Sequence, residues 1–309
     1  MSSLAAFVAV CLFLPWLIRS LRGTSAIGKD LNKPGRPLVP EMGGLGVILG
    51  FYVGVGILVV FANEDVSEPI FYYGSLVAVL GAGVVGLMDD MFGLRRRMKA
   101  LLPFLLALPF GAAVYAARDT YILGVDLGPV IVLAVPFAIT SAANAANMLE
   151  GFNGLGAGMG LIMCLALVAL AFVTGETQGL FLTFPLLGAL AAFLWFNKYP
   201  AKVFPGDSMT LFMGAAIAAA AIISKQKTLG ALLFLPMIVE VVLKVRGRFQ
   251  AENYGTPDGE GRLHYSGEVE SLTHVIMKRR PLKEWQIVAA VWGIEGLVAA
   301  AVIAWAVIL

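Results

Sequence analysis

The sequence predicts an all-α integral membrane protein, threaded through a bilayer by about ten helices, on the strength of three observations. The 309 residues are 59% hydrophobic and only 14% charged, with a mean hydropathy of +0.86, far above that of water-soluble domains. Apolar runs of spanning length, or slightly short of it, recur from one end of the chain to the other. Lys and Arg fall almost entirely in alternate connections between those runs. The net charge of +2 carries little beside that distribution, and nothing in it points to nucleic acid.

The runs lie at about 4–18, 43–62, 70–88, 100–117, 129–147, 155–174, 179–196, 207–223, 229–243 and 285–308. No basic residue precedes the first, and Arg19 and Arg22 follow it directly, the reverse of a secretory signal, so it reads as a retained span with both chain termini on the outer side. The cytoplasmic connections are then about 19–42, 89–99, 148–154, 197–206 and 244–284. They hold 19 of the 22 Lys and Arg residues, leaving Arg118, Lys225 and Lys227 outside. The outer connections are short: acidic at 63–69, minimal at 175–179 and weakly basic at 224–228. No extracytoplasmic domain is expected, and residues 1–309 read as one membrane domain. Cys11 and Cys164 lie within apolar runs and read as buried free thiols.

The polar clusters gather on the cytoplasmic side. In GKDLNKPGRPLVPEMGG (28–44), Pro34, Pro37 and Pro40 exclude a regular helix and shape a loop carrying Lys29, Lys33, Arg36 and Glu41. In GLMDDMFGLRRRMK (86–99), Asp89 and Asp90 end an apolar helix at the negative end of its dipole. They require positive compensation, from a metal ion or from Arg95, Arg96, Arg97 and Lys99. In SAANAANMLEGFNGLGAGMG (141–160), Asn144 and Asn147 stand one turn apart near a span's end, before Glu150 and a glycine turn holding Asn153. In NKYPAKVFPGDSMTLFMG (197–214), Asp207 opens a helix, either as its N-cap or as a carboxylate of a hard-cation site.

The fifth connection is the longest and least apolar. Arg246 and Arg248 stand at the exit of the ninth run, suited to bidentate contact with phosphate oxygens. Tyr254 to Gly267 is glycine-rich and reads as mobile, and 271–285 reads as an interfacial segment leading into the last span. The spacing of His264 and His274 matches no zinc motif.

Adjacent carboxylates, a third Asp on another loop, membrane-edge amides, a glycine turn and Arg or Lys on four loops suit phosphoryl transfer with a divalent metal. No GxxxxGK[ST] loop is present, so the donor reads as a nucleotide conjugate other than ATP, with an acceptor from the bilayer. A secondary transporter is the alternative of another class, but it would place its charges at mid-membrane within broken helices. Only Glu240 and Glu295 lie there, and no repeat is detectable.

The segments GLMDDMFGLRRRMKALLP, NAANMLEGFNGLGAG, YPAKVFPGD and GKDLNKPGRPLVPE resemble the four signature regions of the polyprenyl-phosphate N-acetylhexosamine-1-phosphate transferases, in order and across nearly the whole chain. The first loop and the NGLGAG turn are most similar to dolichyl-phosphate GlcNAc-1-phosphotransferases of the eukaryotic and archaeal branch. The short fifth loop and the lack of a luminal domain suit an archaeal member. The resemblance implies Mg²⁺-dependent transfer, with Mn²⁺ as an alternative ion, of a sugar 1-phosphate from a UDP-sugar to a polyprenyl phosphate. UMP is released in this first step of lipid-linked oligosaccharide assembly for N-glycosylation.

Carried onto this chain, the resemblance makes Asn147 and Asp207 metal ligands and Asp89 or Asp90 the group that deprotonates or orients the lipid phosphate, with Lys99 binding it. Asn153 would read the uracil edge and Phe204 stack on the ring. Arg246 and Arg248 would clamp the diphosphate and sugar, and Glu41 and Glu150 belong to the substrate-binding set. The resemblance also implies a homodimer, in an archaeal plasma membrane or an endoplasmic reticulum, with its site facing the cytoplasm. The sequence departs from bacterial relatives at Glu150, where many carry Asp, and at Arg246, Gly247 and Arg248, which replace a histidine-rich motif. A bacterial-type cell-wall or polysaccharide precursor transferase acting on undecaprenyl phosphate remains the alternative within the family. Direct attack by the lipid phosphate is expected over a covalent aspartyl route, because a phosphate oxygen is already a competent nucleophile.

Overall fold

A computed structural model of the chain describes residues 1–61, 69–122, 124–250 and 252–308, so the acidic connection expected at 63–69 lies outside the described residues save Pro69. Eight long helices come first: α1 (Ser2–Leu21), α2 (Gly44–Phe61), α3 (Pro69–Phe92), α4 (Arg96–Ala116), α5 (Ile131–Leu149), α6 (Leu155–Thr174), α7 (Leu180–Asn197) and α8 (Gly206–Ile223). Two short ones follow, α9 (Lys227–Leu233) and α10 (Leu235–Arg246), then α11 (Leu272–Arg279) and the last long helix α12 (Glu284–Ile308).

Among the described residues nine helices are long and apolar enough to span a bilayer. The expected count of ten is reached when α9 and α10, bent by 61°, are taken as one broken span. The break has a local cause. Pro236, at the second position of α10, has no N–H to donate and its ring crowds the carbonyl four residues back, so Phe234 leaves the helical conformation.

The small amount of strand lies in the connections. β1 (Ile27–Lys29) and β2 (Leu38–Pro40) form an antiparallel hairpin in the first loop, pairing Ile27 with Pro40. On the opposite end β3 (Tyr121–Ile122) pairs with β4 (Val125–Asp126). The glycine-rich stretch 254–267 carries β5 (Thr256–Pro257) and β6 (Arg262–His264), and β7 (Leu282–Lys283) completes a three-stranded antiparallel sheet. Asp258 makes that turn: its Oδ1 accepts the backbone N–H groups of Glu260 and Arg262, each at 2.8 Å. An Asp side chain can thus order a glycine-rich turn that composition alone reads as loose.

α8 is the hub. It packs between α3 and α5 and also touches α2 and α7. Sixteen of its 18 residues are buried, and its run of Gly and Ala lets neighbouring backbones come close. Gly86 of α3 is needed for this approach: a Cβ there would stand 2.7 Å from Ser208 Cα, inside any normal contact. Gly206, with φ of +70°, turns the chain into α8 in a conformation that side chains other than glycine's resist.

The five connections assigned to one side meet at one end of this bundle. Asn32 Nδ2 donates to Gly151 O at 3.0 Å, Gly43 N to Phe204 O at 2.9 Å, Asp207 N to Asp90 Oδ1 at 2.6 Å, and Asn253 Nδ2 to Glu150 O at 2.8 Å. At the opposite end Lys227 pairs with Asp119. Both cysteines are free thiols; Cys164 is buried as expected, whereas Cys11 is only half-buried.

Candidate active site

Four helix ends converge on one ammonium group. Asp89 stands in the last turn of α3, where its Oδ1 accepts the Leu94 N–H at 2.6 Å and its Oδ2 faces Lys99 Nζ. Lys99, in the first turn of α4, also pairs with Asp207 Oδ2 in the first turn of α8. Asn147 of α5 brings its side chain to Asp207, and one turn earlier Asn144 Nδ2 donates to Lys99 O at 3.3 Å and Thr140 O at 2.9 Å. Asp89, Lys99, Asn147 and Asp207 thus form a single cluster. The Lys99 and Asp207 side chains remain 23% and 25% exposed, so the cluster is open to solvent.

Asp90, the neighbour of Asp89, does something different. Its Oδ1 accepts the backbone N–H of Asp207 and its Oδ2 that of Ser208 at 3.1 Å. It caps α8 from another helix, supplying the acceptor that Pro205 at the N-cap position lacks. Glu41 lies close by, and burial together with the Asp90 charge raises its carboxyl above the ordinary range.

A cavity of about 1310 Å³ opens beside the cluster. Its polar end is lined by Arg96, Arg97, Lys99, Asn144, Asn147, Glu150 and Lys244, and its walls continue along Phe104, Val135, Phe137 and Ala138 to Phe234, Ile238 and Val242 of the broken span. Burial pushes the Glu150 carboxyl up to about 7. Tyr254, also on the lining, is pushed up to about 12 by burial and by the charges of Glu252, Glu150, Glu41 and Asp30.

Asn153 belongs to a separate buried network. Its Nδ2 donates to Asp30 Oδ2 at 3.0 Å and its backbone N–H to Glu284 Oε1 at 2.7 Å. Lys33 Nζ bridges the same two carboxylates, reaching Glu284 Oε2 at 3.4 Å. Phe204 is half-buried and its backbone is tied to the first loop, with its N–H donating to Pro40 O at 2.7 Å. Arg246 and Arg248 are exposed on the fifth loop; Arg246 Nη2 donates to Val269 O at 3.0 Å. Neither arginine lines the cavity.

Sequence reasoning did not select Asp30, Lys33, Glu284, Lys244 or Asn253 for the site. A carboxylate opening the last apolar helix at Glu284, and a lysine directly after the ninth run at Lys244, were signals within reach. Asp30 and Asn253 carried none, since each depends on a partner more than 100 residues away.

The fold and this cluster define a polytopic membrane protein that holds carboxylates, a lysine and amides at the end of its bundle, beside a largely apolar groove. The chain belongs to glycosyl transferase family 4, whose model matches residues 72–225. It is 40% identical over 294 residues, 92% of this chain and 89% of the relative, to a Saccharolobus solfataricus protein provisionally named UDP-N-acetylglucosamine–dolichyl-phosphate N-acetylglucosaminephosphotransferase. A Sulfolobus acidocaldarius protein of the same provisional name is 36% identical over 310 residues, covering 97% of this chain and 93% of the relative. The phospho-N-acetylmuramoyl-pentapeptide-transferase of Shouchella clausii is 31% identical over 244 residues, or 74% of each chain.

Proposed function

We propose that this protein transfers GlcNAc 1-phosphate from UDP-GlcNAc to a membrane polyprenyl phosphate of the dolichyl type, releasing UMP. The observation that carries the reading is Lys99, held between Asp89 and Asp207 at the polar mouth of an otherwise apolar cavity. A lipid phosphate has that character: a charged head for the lysine and a hydrocarbon tail for the walls of α4, α5 and α10. The names of the archaeal relatives supply the sugar nucleotide and the lipid.

A nonbridging oxygen of the lipid phosphate attacks the β-phosphorus of the donor. The bond from that phosphorus to the bridging oxygen breaks, and UMP departs with the electron pair. Lys99 neutralises the incoming phosphate and holds it in line. Asp89, tethered by the Leu94 N–H, orients it and accepts its proton if it arrives protonated. Asp90 keeps the first turn of α8, and so Asp207, in place.

The residues present fit a magnesium ion. Asp89, Asp207 and Asn147 carry hard oxygen donors, and among the described residues no group of three or more His, Cys, Asp or Glu side chains is placed to hold a metal ion by itself. Mg²⁺ commonly takes one or two carboxylates and completes its shell with water and substrate phosphates. Asp207 and Asn147 would hold it, and it would supply charge neutralisation at the diphosphate; Mn²⁺ suits the same donors. The loops bearing 19 of the 22 Lys and Arg residues share the end of the bundle that holds the site, which supports a cytoplasmic orientation for it.

The test is UMP release by the purified chain given UDP-GlcNAc and a polyprenyl phosphate. Release that requires both substrates and a divalent ion is expected, and no release from any UDP-sugar overturns the reading. The Shouchella clausii similarity favours one second reading, a cell-wall precursor transferase, which a panel of donors and lipids separates by preference.

A further inference from the structure

The end of α5 carries Asn147 and leads into Glu150, and the way that end is held points to a residue outside the reaction scheme. The last carbonyls of a helix have no donor within it. Here Asn253 of the fifth loop supplies one: its Nδ2 donates to Met148 O at 2.9 Å and to Glu150 O at 2.8 Å. Both acceptors are carbonyls, so the nitrogen end of the amide must face them, and both its hydrogens are committed.

Asn253 is itself fixed. Its backbone carbonyl accepts the Thr273 hydroxyl at 2.9 Å. Ser271, the N-cap of α11, donates its hydroxyl to Glu240 Oε2 at 3.1 Å, and the Leu272 N–H reaches the same oxygen at 2.7 Å. Glu240 lies on α10, a wall of the apolar cavity. Glu240, Ser271, Thr273 and Asn253 are all buried, so water does not substitute for a bond that is lost. The Thr273 N–H donates to Ser271 Oγ at 3.3 Å and joins the two halves, so one series of hydrogen bonds runs from the groove wall, through α11 and the fifth loop, to the turn that presents Asn147 and Glu150.

We propose that Asn253 is a positioning residue for the transfer, an inference that rests on the reading of Asn147 given above. It sets where Asn147 stands by closing the last turn of α5, and Thr273 sets where Asn253 stands. The fifth loop is then part of the site through the helix end it holds.

The test uses the full chain in detergent, with Asn253→Asp as the principal variant. The change is isosteric, so packing is kept, while both donors are lost and a carboxylate is set against two carbonyls. Its kcat/KM for UDP-GlcNAc is expected to fall about tenfold or more, the usual consequence of orphaning buried acceptors, with the KM for polyprenyl phosphate unchanged within about twofold. Binding of UDP in the presence of Mg²⁺, measured by calorimetry, should weaken in parallel at a temperature where thermal melting shows the variant folded. Thr273→Val should move the same quantities less, and adding it to Asn253→Ala should cost little beyond Asn253→Ala alone, because the two act in series. A folded Asn253→Asp variant with wild-type kcat/KM and UDP affinity overturns the proposal, as does full additivity with Thr273→Val. An inert wild type that binds no UDP overturns the transferase reading instead, which keeps the two failures apart.

Discussion

Asp90 Oδ1 accepts the backbone N–H of Asp207 at 2.6 Å, so a side chain at the end of α3 caps the helix that presents another carboxylate to the site. Its neighbour Asp89 points to Lys99 instead. The two adjacent aspartates therefore differ in kind. Asp89→Asn is expected to lower kcat about 100-fold or more with little change in melting temperature. Asp90→Asn retains one acceptor oxygen and should cost about 1 kcal/mol of stability, with a smaller loss of kcat. Thermal melting and initial rates on both variants decide this: a stable, inert Asp90→Asn beside an active Asp89→Asn would reverse the assignment.

Lys99 pairs with two carboxylates at once. Lys99→Met leaves Asp89 and Asp207 facing each other with no cation between them and, on the proposed function, the lipid phosphate without its counter-charge. Turnover should drop by about two to three orders of magnitude, as when a preorganised charge partner is removed. Lys99→Arg keeps the charge on a wider planar group and should recover only part of the rate. Rates as a function of polyprenyl phosphate concentration check it, and a Lys99→Met enzyme at more than half the wild-type rate would remove this residue from the mechanism.

Glu150 gives a pH signature in stability. Burial raises its carboxyl from the ordinary 4.5 to about 7, so the folded chain holds a proton that the unfolded chain has released. Stability that depends on that proton is complete below about 4.5 and is lost as the pH climbs toward 7. Glu150→Gln has no proton to lose, and at pH 8 it should exceed the wild type by about 1–2 kcal/mol, with the difference gone at pH 4. Melting temperatures of both proteins across that range provide the check; parallel curves would exclude a buried titrating Glu150.

The apolar groove makes a separate prediction. Ala138 of α5 lines it and is exposed, so a larger side chain there has room to fold and fills the space that the proposed function gives to the lipid tail. Ala138→Trp should raise the KM for polyprenyl phosphate about tenfold, the equivalent of roughly 1.4 kcal/mol of lost apolar contact, and leave the KM for UDP-GlcNAc unchanged. Equal effects on both substrates would place the lipid elsewhere.

Most of the architecture was legible in the sequence, because a bilayer demands uninterrupted apolar lengths. The runs at 155–174 and 207–223 match α6 and α8 to within a residue. The interruption in the ninth span at Phe234 was not read, although Pro236 was its local cause; a proline inside a membrane helix sometimes breaks it and sometimes does not, as Pro103 and Pro109 within α4 illustrate. The polar clusters were equally visible, since charges and amides at a membrane edge stand out against their surroundings.

What only the tertiary structure decided was direction. Successive residues on a helix point about 100° apart, so whether Asp89 or Asp90 faces Lys99 depends on how α3 is rotated against α4 and α8. That rotation is set by packing, with Gly86 against Ser208, and not by anything local to the DD pair. The same holds for Asn153, whose amide meets Asp30, and for Asn253, which closes α5 from the fifth loop. Sequence alone therefore determined which chemical groups this protein collects at one face of the membrane. Which of them touch was decided by helix rotation and by hydrogen bonds between segments that lie more than 100 residues apart.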